Sequence, residues 1–101
     1  RKVRYSPVGN YVSYIGKNDI MENIYVYDCH RKTTINLTQN ISQKTINDYI
    51  WKVDGEKIYL STIGSKGVII YSLDIAREDN IKVIANNDFS YVTLSYRPRV
   101  I

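Results

Sequence analysis

The sequence predicts an all-β fold, with two successive four-stranded antiparallel sheets and the opening of a third. Three observations carry that prediction. Thirty of the 101 residues are β-branched (15 Ile, 9 Val, 6 Thr) and ten are Tyr, against four Leu and two Ala. Branched and aromatic side chains pack well on a pleated surface and lose rotamer freedom in a helix. Short apolar runs are separated by Gly, Asn and Asp turn signals rather than by helical stretches. Finally, the chain repeats itself at a spacing of 46 residues, and an internal period governs every local assignment.

Shifting the chain by 46 superposes Gly9 on Gly55, Ile24 on Ile70, Tyr25 on Tyr71 and Asp28 on Asp74 without a gap. Arg31 falls on Arg77, Ile35 on Ile81 and Asn40 on Asn86. Conservative matches fill the spaces between, such as Tyr5 with Trp51, Val12 with Ile58, Tyr14 with Leu60 and Leu37 with Val83. The order of features recurs as well as their identity: a glycine turn, an apolar strand, an Ile-Tyr-x-x-Asp strand and a short apolar strand.

Each element follows from local chemistry. In the second copy, 48–53 is the first strand, and Asp54-Gly55 supplies a tight turn tolerant of positive φ. The strand 57–62 places Ile58 and Leu60 on one face and Tyr59 and Ser61 on the other. Gly64-Ser65-Lys66-Gly67 is the next turn. The run Val68, Ile69, Ile70, Tyr71 within strand 68–74 suits burial on both faces. A short fourth strand, 82–85, closes on Asn86-Asn87-Asp88. The first copy reads the same way over 11–16, 23–28 and 34–38, with an extended loop from Lys17 to Glu22. A third copy opens at 89–96, where Tyr96-Arg97-Pro98 falls one residue early relative to Tyr5-Ser6-Pro7. The expected core is Val12, Tyr14, Ile24, Val26, Ile35, Leu37, Ile50, Ile58, Leu60, Ile70, Ile81, Val83 and Val92.

Four antiparallel strands every 40 to 50 residues is the period of a β-propeller blade. The chain is therefore read as a propeller fragment, with one blade over 1–41, a second over 46–88 and the start of the next over 89–101. The segments Tyr5-Ser6-Pro7-Val8-Gly9-Asn10-Tyr11-Val12, Asn23-Ile24-Tyr25-Val26-Tyr27-Asp28 and Ile35-Asn36-Leu37-Thr38 carry a more specific likeness. Together they resemble the repeat of TolB-like propellers, which also builds the N-terminal propellers of the prolyl oligopeptidase family. Val8 stands where that pattern has Asp, and Lys52-Val53 replaces Ser-Pro in the second copy.

The resemblance implies a non-catalytic segment of the substrate-gating propeller of a prolyl oligopeptidase-like serine peptidase, whose nucleophile, acid and base would lie on a C-terminal α/β-hydrolase domain. The alternative it implies is a TolB-like periplasmic scaffold for protein–protein interaction. The long Lys17–Glu22 loop and the lost Ser-Pro favour the less uniform peptidase blades. The compartment follows the reading, cytoplasmic for the first and periplasmic for the second. The partners implied are the remaining blades, the hydrolase domain, and peptides or a protein partner. Two blades cannot close a ring, so the isolated segment is expected to self-associate through its uncovered faces.

Composition excludes several other classes. Net charge is +4, but Arg1, Lys2, Arg4, Arg97 and Arg99 lie at the ends, and without them nine basic residues face ten acidic ones. No nucleic-acid partner is expected from such a balance. The terminal basic residues flank first strands. They are placed either to line a central channel and draw acidic substrate termini, or to serve as ordinary solvated ends. No apolar run approaches the roughly 18 residues of a membrane span. A single cysteine, Cys29, excludes an internal disulfide framework. The sequons at Asn36 and Asn40 are what chance supplies in a chain this rich in Asn, Ser and Thr.

No catalytic, cofactor-binding or metal-binding residue is assigned. The one histidine, His30, lies in the turn Asp28–Thr33 and reads as solvated. Cys29 and His30 are neighbours and point apart, which is poor geometry for a nucleophile and base. Cys29, standing where Ile75 stands in the second copy, is expected to be packed. There is no Gly-x-Ser-x-Gly elbow. Asp19, Glu22 and Asp28 lack calcium-loop spacing, and one His with one Cys cannot fill a zinc site. The Gly64–Gly67 loop lacks the Gly-Lys-Ser/Thr ending of a phosphate loop. Tyr5 and Trp51 are expected to wedge between adjacent sheets rather than to stack on a base or sugar.

Overall fold

The computed structural model describes residues 1–18, 21–41, 45–64, 67–77 and 81–87. Its eight strands are β1 (Arg4–Tyr5), β2 (Tyr11–Asn18), β3 (Met21–Asp28), β4 (Thr33–Asn36), β5 (Thr45–Trp51), β6 (Lys57–Gly64), β7 (Gly67–Asp74) and β8 (Ile81–Asn87). They form two antiparallel meanders, β1-β2-β3-β4 and β5-β6-β7-β8, with no helix among the described residues. The two sheets stack without closing into a ring, an arrangement consistent with a propeller-like fragment. The opening of the third sheet, at 89–101, and core residue Val92 lie outside the described residues.

The 46-residue period is written into the strand pairing. Arg4↔Ser13 and Tyr5↔Val12 become Ile50↔Tyr59 and Trp51↔Ile58 in the second sheet. Every β2–β3 pair, from Tyr11↔Asp28 to Asn18↔Met21, recurs 46 residues on, from Lys57↔Asp74 to Gly64↔Gly67. Turn hydrogen bonds repeat too: Cys29 N–H donates to Asn10 C=O, and Ile75 N–H to Glu56 C=O. Asp28 Oδ1 accepts from the N–H groups of His30 and Arg31, and Asp74 Oδ1 from those of Ala76 and Arg77. The period slips by one only at the last strand. There Val26 faces Ile35 but Ser72 faces Lys82, across an irregularity at Ile70/Tyr71.

Paired residues share a face and successive residues alternate, so each sheet has two distinct sides. The inner side of the first sheet presents Ser13, Ile15, Ile24 and Val26 to Tyr49, Trp51, Ile58, Leu60 and Leu73 of the second. All of these except the polar Ser13, with Leu37, Ile41, Ile46 and Ile75, make one buried apolar cluster shared by both sheets.

Several expectations need correction. The sheets meet through opposite sides, so Ile58 and Leu60 are buried while their counterparts Val12 and Tyr14 lie partly exposed on the outer side of the first sheet. In their place Ser13 and Ile15 are buried. Ile35 and Ile81 are partly buried and pack against the core as expected, but Ile50 and Ile70 are only partly buried, and Val83 is exposed on the edge strand β8. Of the extended loop expected from Lys17 to Glu22, Lys17 pairs with Glu22 and Asn18 with Met21 at the ends of β2 and β3, while residues 19 and 20 lie outside the described residues. The strand expected over 48–53 runs from Thr45 to Trp51 and accommodates an irregularity between Ile46 and Asp48.

Candidate functional site

The chemistry-bearing side chains gather where the N-terminal segment crosses from the first sheet to the second. Trp51 Nε1–H donates to Ser13 Oγ at 2.8 Å. Ser13 Oγ lies 2.8 Å from Tyr49 OH, and Tyr49 OH donates to the Lys2 carbonyl at 2.5 Å. Ser13 Oγ–H also donates to the Arg4 carbonyl at 3.1 Å, so Trp51, Ser13, Tyr49 and the Lys2 and Arg4 carbonyls form one hydrogen-bonded network. Serine is the side chain that fits here: it is small enough for the inter-sheet gap and both donates and accepts. Burial pushes the Tyr49 phenol above its ordinary value of 10.0, against the pull of the Ser13 hydrogen bond and the Arg4 charge.

Around this network the basic N-terminal residues are paired. Arg1 meets Glu22, whose other oxygen accepts the Ile46 N–H at 2.9 Å. Lys2 Nζ reaches Asp48 Oδ1 at 3.1 Å and the Asn47 carbonyl, and Arg4 lies 3.6 Å from the same carboxylate with its guanidinium over the Tyr49 ring. Of the two readings open for the basic ends, neither a free channel lining nor a merely solvated end describes these three. Lys2 and Arg4 bind the first sheet to the second, while Arg1 pairs within the first sheet with Glu22, which itself reaches the second through the Ile46 N–H. Arg97 and Arg99 lie outside the described residues.

The remaining candidates separate. Trp51 is 6% exposed and stacks on Tyr11 with ring centres 6.1 Å apart, as a wedge between sheets should. Its counterpart Tyr5 is 78% exposed, contrary to expectation, because it lies on the outer side of the first sheet. The same asymmetry corrects Cys29: Ile75 is buried in the shared cluster, whereas Cys29 is exposed. His30 is exposed on its turn. Glu22 and Asp28 stand at opposite ends of β3, Asp19 is outside the described residues, and no metal-holding group occurs among those described. Gly64 pairs with Gly67, and Ser65 and Lys66 between them lie outside the described residues. A cleft of about 270 Å³ opens between the sheets at their outer end, but its charged groups Asp28 and Arg31 are paired at 3.9 Å.

Sequence reasoning missed one structural lock. Thr38 is fully buried, donates to Asn23 Oδ1 at 2.8 Å and accepts the Ile24 N–H at 3.1 Å. The signal was present in the Leu37-Thr38 ending of the repeat. No helix among the described residues is long and apolar enough to cross a membrane. The chain matches no protein-family model, no curated protein and no solved structure.

Proposed function

We propose that this chain is a non-catalytic, sheet-stacking segment of a larger protein, part of the substrate-gating N-terminal propeller of a prolyl oligopeptidase-like serine peptidase. The observation that carries the stacking role is the recurrence of strand pairing at a 46-residue shift across both sheets. A repeat that preserves its pairing preserves its faces, and each face then has to be covered by a neighbour. The side chains in the inter-sheet seam support the same role, since Ser13, Tyr49, Trp51, Glu22 and Asp48 are engaged in joining the sheets. The peptidase assignment rests on the sequence resemblance.

One observation favours the second reading, a TolB-like scaffold. The pairing of β2 with β3 continues through Lys17↔Glu22 and Asn18↔Met21, which shortens the extension that pointed towards peptidase blades and leaves the missing Ser-Pro at Lys52-Val53 as its main support. Labelling the intact source protein with a fluorophosphonate, followed by cleavage of proline-containing peptides of graded length, separates the two. The peptidase reading expects a labelled serine and cleavage confined to short peptides. An unlabelled protein that instead captures envelope proteins overturns it in favour of the scaffold.

A further inference from the structure

The two sheets are equivalent in pairing but unequal in burial, because each buries the side that faces the other: Ser13 and Ile24 are buried where Tyr59 and Ile70 are partly open, and the reverse holds on the opposite side. On the outer side of the first sheet lie Tyr5, Val12, Tyr14, Tyr25 and Tyr27, aligned in cross-strand rows. Shifted by 46, these are Trp51, Ile58, Leu60, Tyr71 and Leu73, the side of the second sheet that packs on the first. Trp51, Ile58, Leu60 and Leu73 are buried, whereas Tyr5 is 78% exposed and the other four outer residues are partly so.

The turns show the same contrast. Gly55 (φ +73°) lies against the backbone of Val8, with space for a Cβ blocked at 2.4 Å by the Val8 carbonyl oxygen. Gly9 (φ +87°) has the same backbone form, but a Cβ there would meet only the ring of Tyr11 at 3.4 Å. Ile75 is buried where Cys29 is exposed. Strand, turn and rim positions thus all have a neighbour in the second sheet that their counterparts in the first sheet lack.

We propose that the tyrosine-rich outer side of the first sheet is a docking surface for one further four-stranded sheet of this same repeat, joined ahead of Arg1 at the same 46-residue spacing. The inner interface supplies the pattern for the outer one. The incoming sheet presents branched apolar residues where Ile15, Ile24 and Val26 stand, and a small hydroxyl where Ser13 stands. Its counterpart of Val8 seats against Gly9. Nothing charged lies in the central rows of the receiving side, so apolar contact and tyrosine hydroxyls at the rim dominate. The inference rests on the stacking part of the proposed function and is independent of the peptidase assignment, which its test leaves untouched.

The test is a tandem protein in which residues 1–46 are duplicated ahead of Arg1, with Cys29→Ser in the added copy only. One thiol and one tryptophan then remain. Alkylation of Cys29 by iodoacetamide is expected to slow at least about tenfold relative to the 101-residue chain, as docking takes the thiol out of solvent. Native Trp51 emission, with its environment against Tyr11 intact, reports that the original pair of sheets is folded. Tyr14→Glu in the original copy is expected to restore fast alkylation while leaving Trp51 emission native. Unchanged Cys29 reactivity with native Trp51 emission overturns the proposal. So does a tandem that loses native Trp51 emission, since a matching sheet extends the stack rather than disrupting it. Protection of Cys29 by self-association of the 101-residue chain, without protection in the tandem, overturns it in favour of a second copy as the occupant.

Discussion

Ser13 shows how much a single small side chain decides in this molecule. It is fully buried between the sheets and accepts the Trp51 indole N–H while bonding the Tyr49 phenol. Replacing it with alanine leaves the buried Trp51 N–H without its acceptor, while the Tyr49 phenol keeps the Lys2 carbonyl, and an unsatisfied buried polar group costs about 1–3 kcal/mol. Ser13→Ala is therefore expected to lower unfolding stability by about 1–3 kcal/mol in urea titrations followed by Trp51 emission. Tyr49 carries a pH signature. Its phenol is pushed above the ordinary value of 10.0, mainly by burial, so folding favours the protonated form. Its contribution is complete below pH 10 and is lost as pH rises through the raised value. Stability measured from pH 8 to 11 is expected to fall at the alkaline end, and Tyr49→Phe is expected to shallow that fall. The glycines supply a paired comparison. Gly55→Ala adds a backbone collision with Val8 to the cost of a positive φ, whereas Gly9→Ala carries the φ cost alone. Both are expected to destabilise, Gly9→Ala by about 1 kcal/mol and Gly55→Ala by about 2 kcal/mol more. A Gly55→Ala protein as stable as Gly9→Ala would contradict this packing of the turns.

At the scale of elements, the turns after β3 and β7 are held by one device used twice. Asp28 and Asp74 each accept two backbone N–H groups from the residues that follow, which fixes the chain as it leaves the strand. Asp28→Ala and Asp74→Ala are each expected to cost about 1 kcal/mol, measured as a shift in denaturation midpoint at constant m-value. Asp54 acts similarly in the tight turn before β6. The Glu56 N–H and then the Lys52 ammonium hold its carboxyl below the usual carboxylate range. Strand existence and order were legible in the sequence because turn chemistry and apolar runs are local. Strand ends were less so. Lys17, Asn18, Met21 and Glu22 look like loop residues in the sequence, yet they pair because ladder hydrogen bonding continues as far as β2 and β3 run side by side.

For the whole molecule, the shared cluster is expected to make the two sheets unfold as one cooperative unit. Ile24 and Leu60 are fully buried on facing sides, and truncating either opens a cavity in the same core. Leu60→Ala is expected to cost about 2–4 kcal/mol, with transitions by far-ultraviolet circular dichroism and Trp51 emission still coincident. Separate transitions for the two signals would show that the sheets fold independently. The N-terminal segment contributes to this unity. Lys2 and Arg4 extend from the edge of the first sheet to Asp48 and Tyr49 of the second, so charges that look like a terminal basic patch in the sequence act as inter-sheet ties, while Arg1 braces Glu22 within the first sheet.

By itself the sequence determined the fold class, the 46-residue period, the meander order and the turn positions. These follow from β-branched and aromatic composition, glycine and aspartate turn chemistry, and self-similarity, all readable from residues close along the chain. Only the tertiary structure decided which side of each strand is core. Equivalent residues such as Val12 and Ile58, Tyr5 and Trp51, or Cys29 and Ile75 have like sequence contexts and unlike burial. A strand's periodicity defines two sides but is silent on which one meets a neighbour. That choice is made when two sheets stack, because the side that one sheet turns inward is the opposite of the side its partner turns inward.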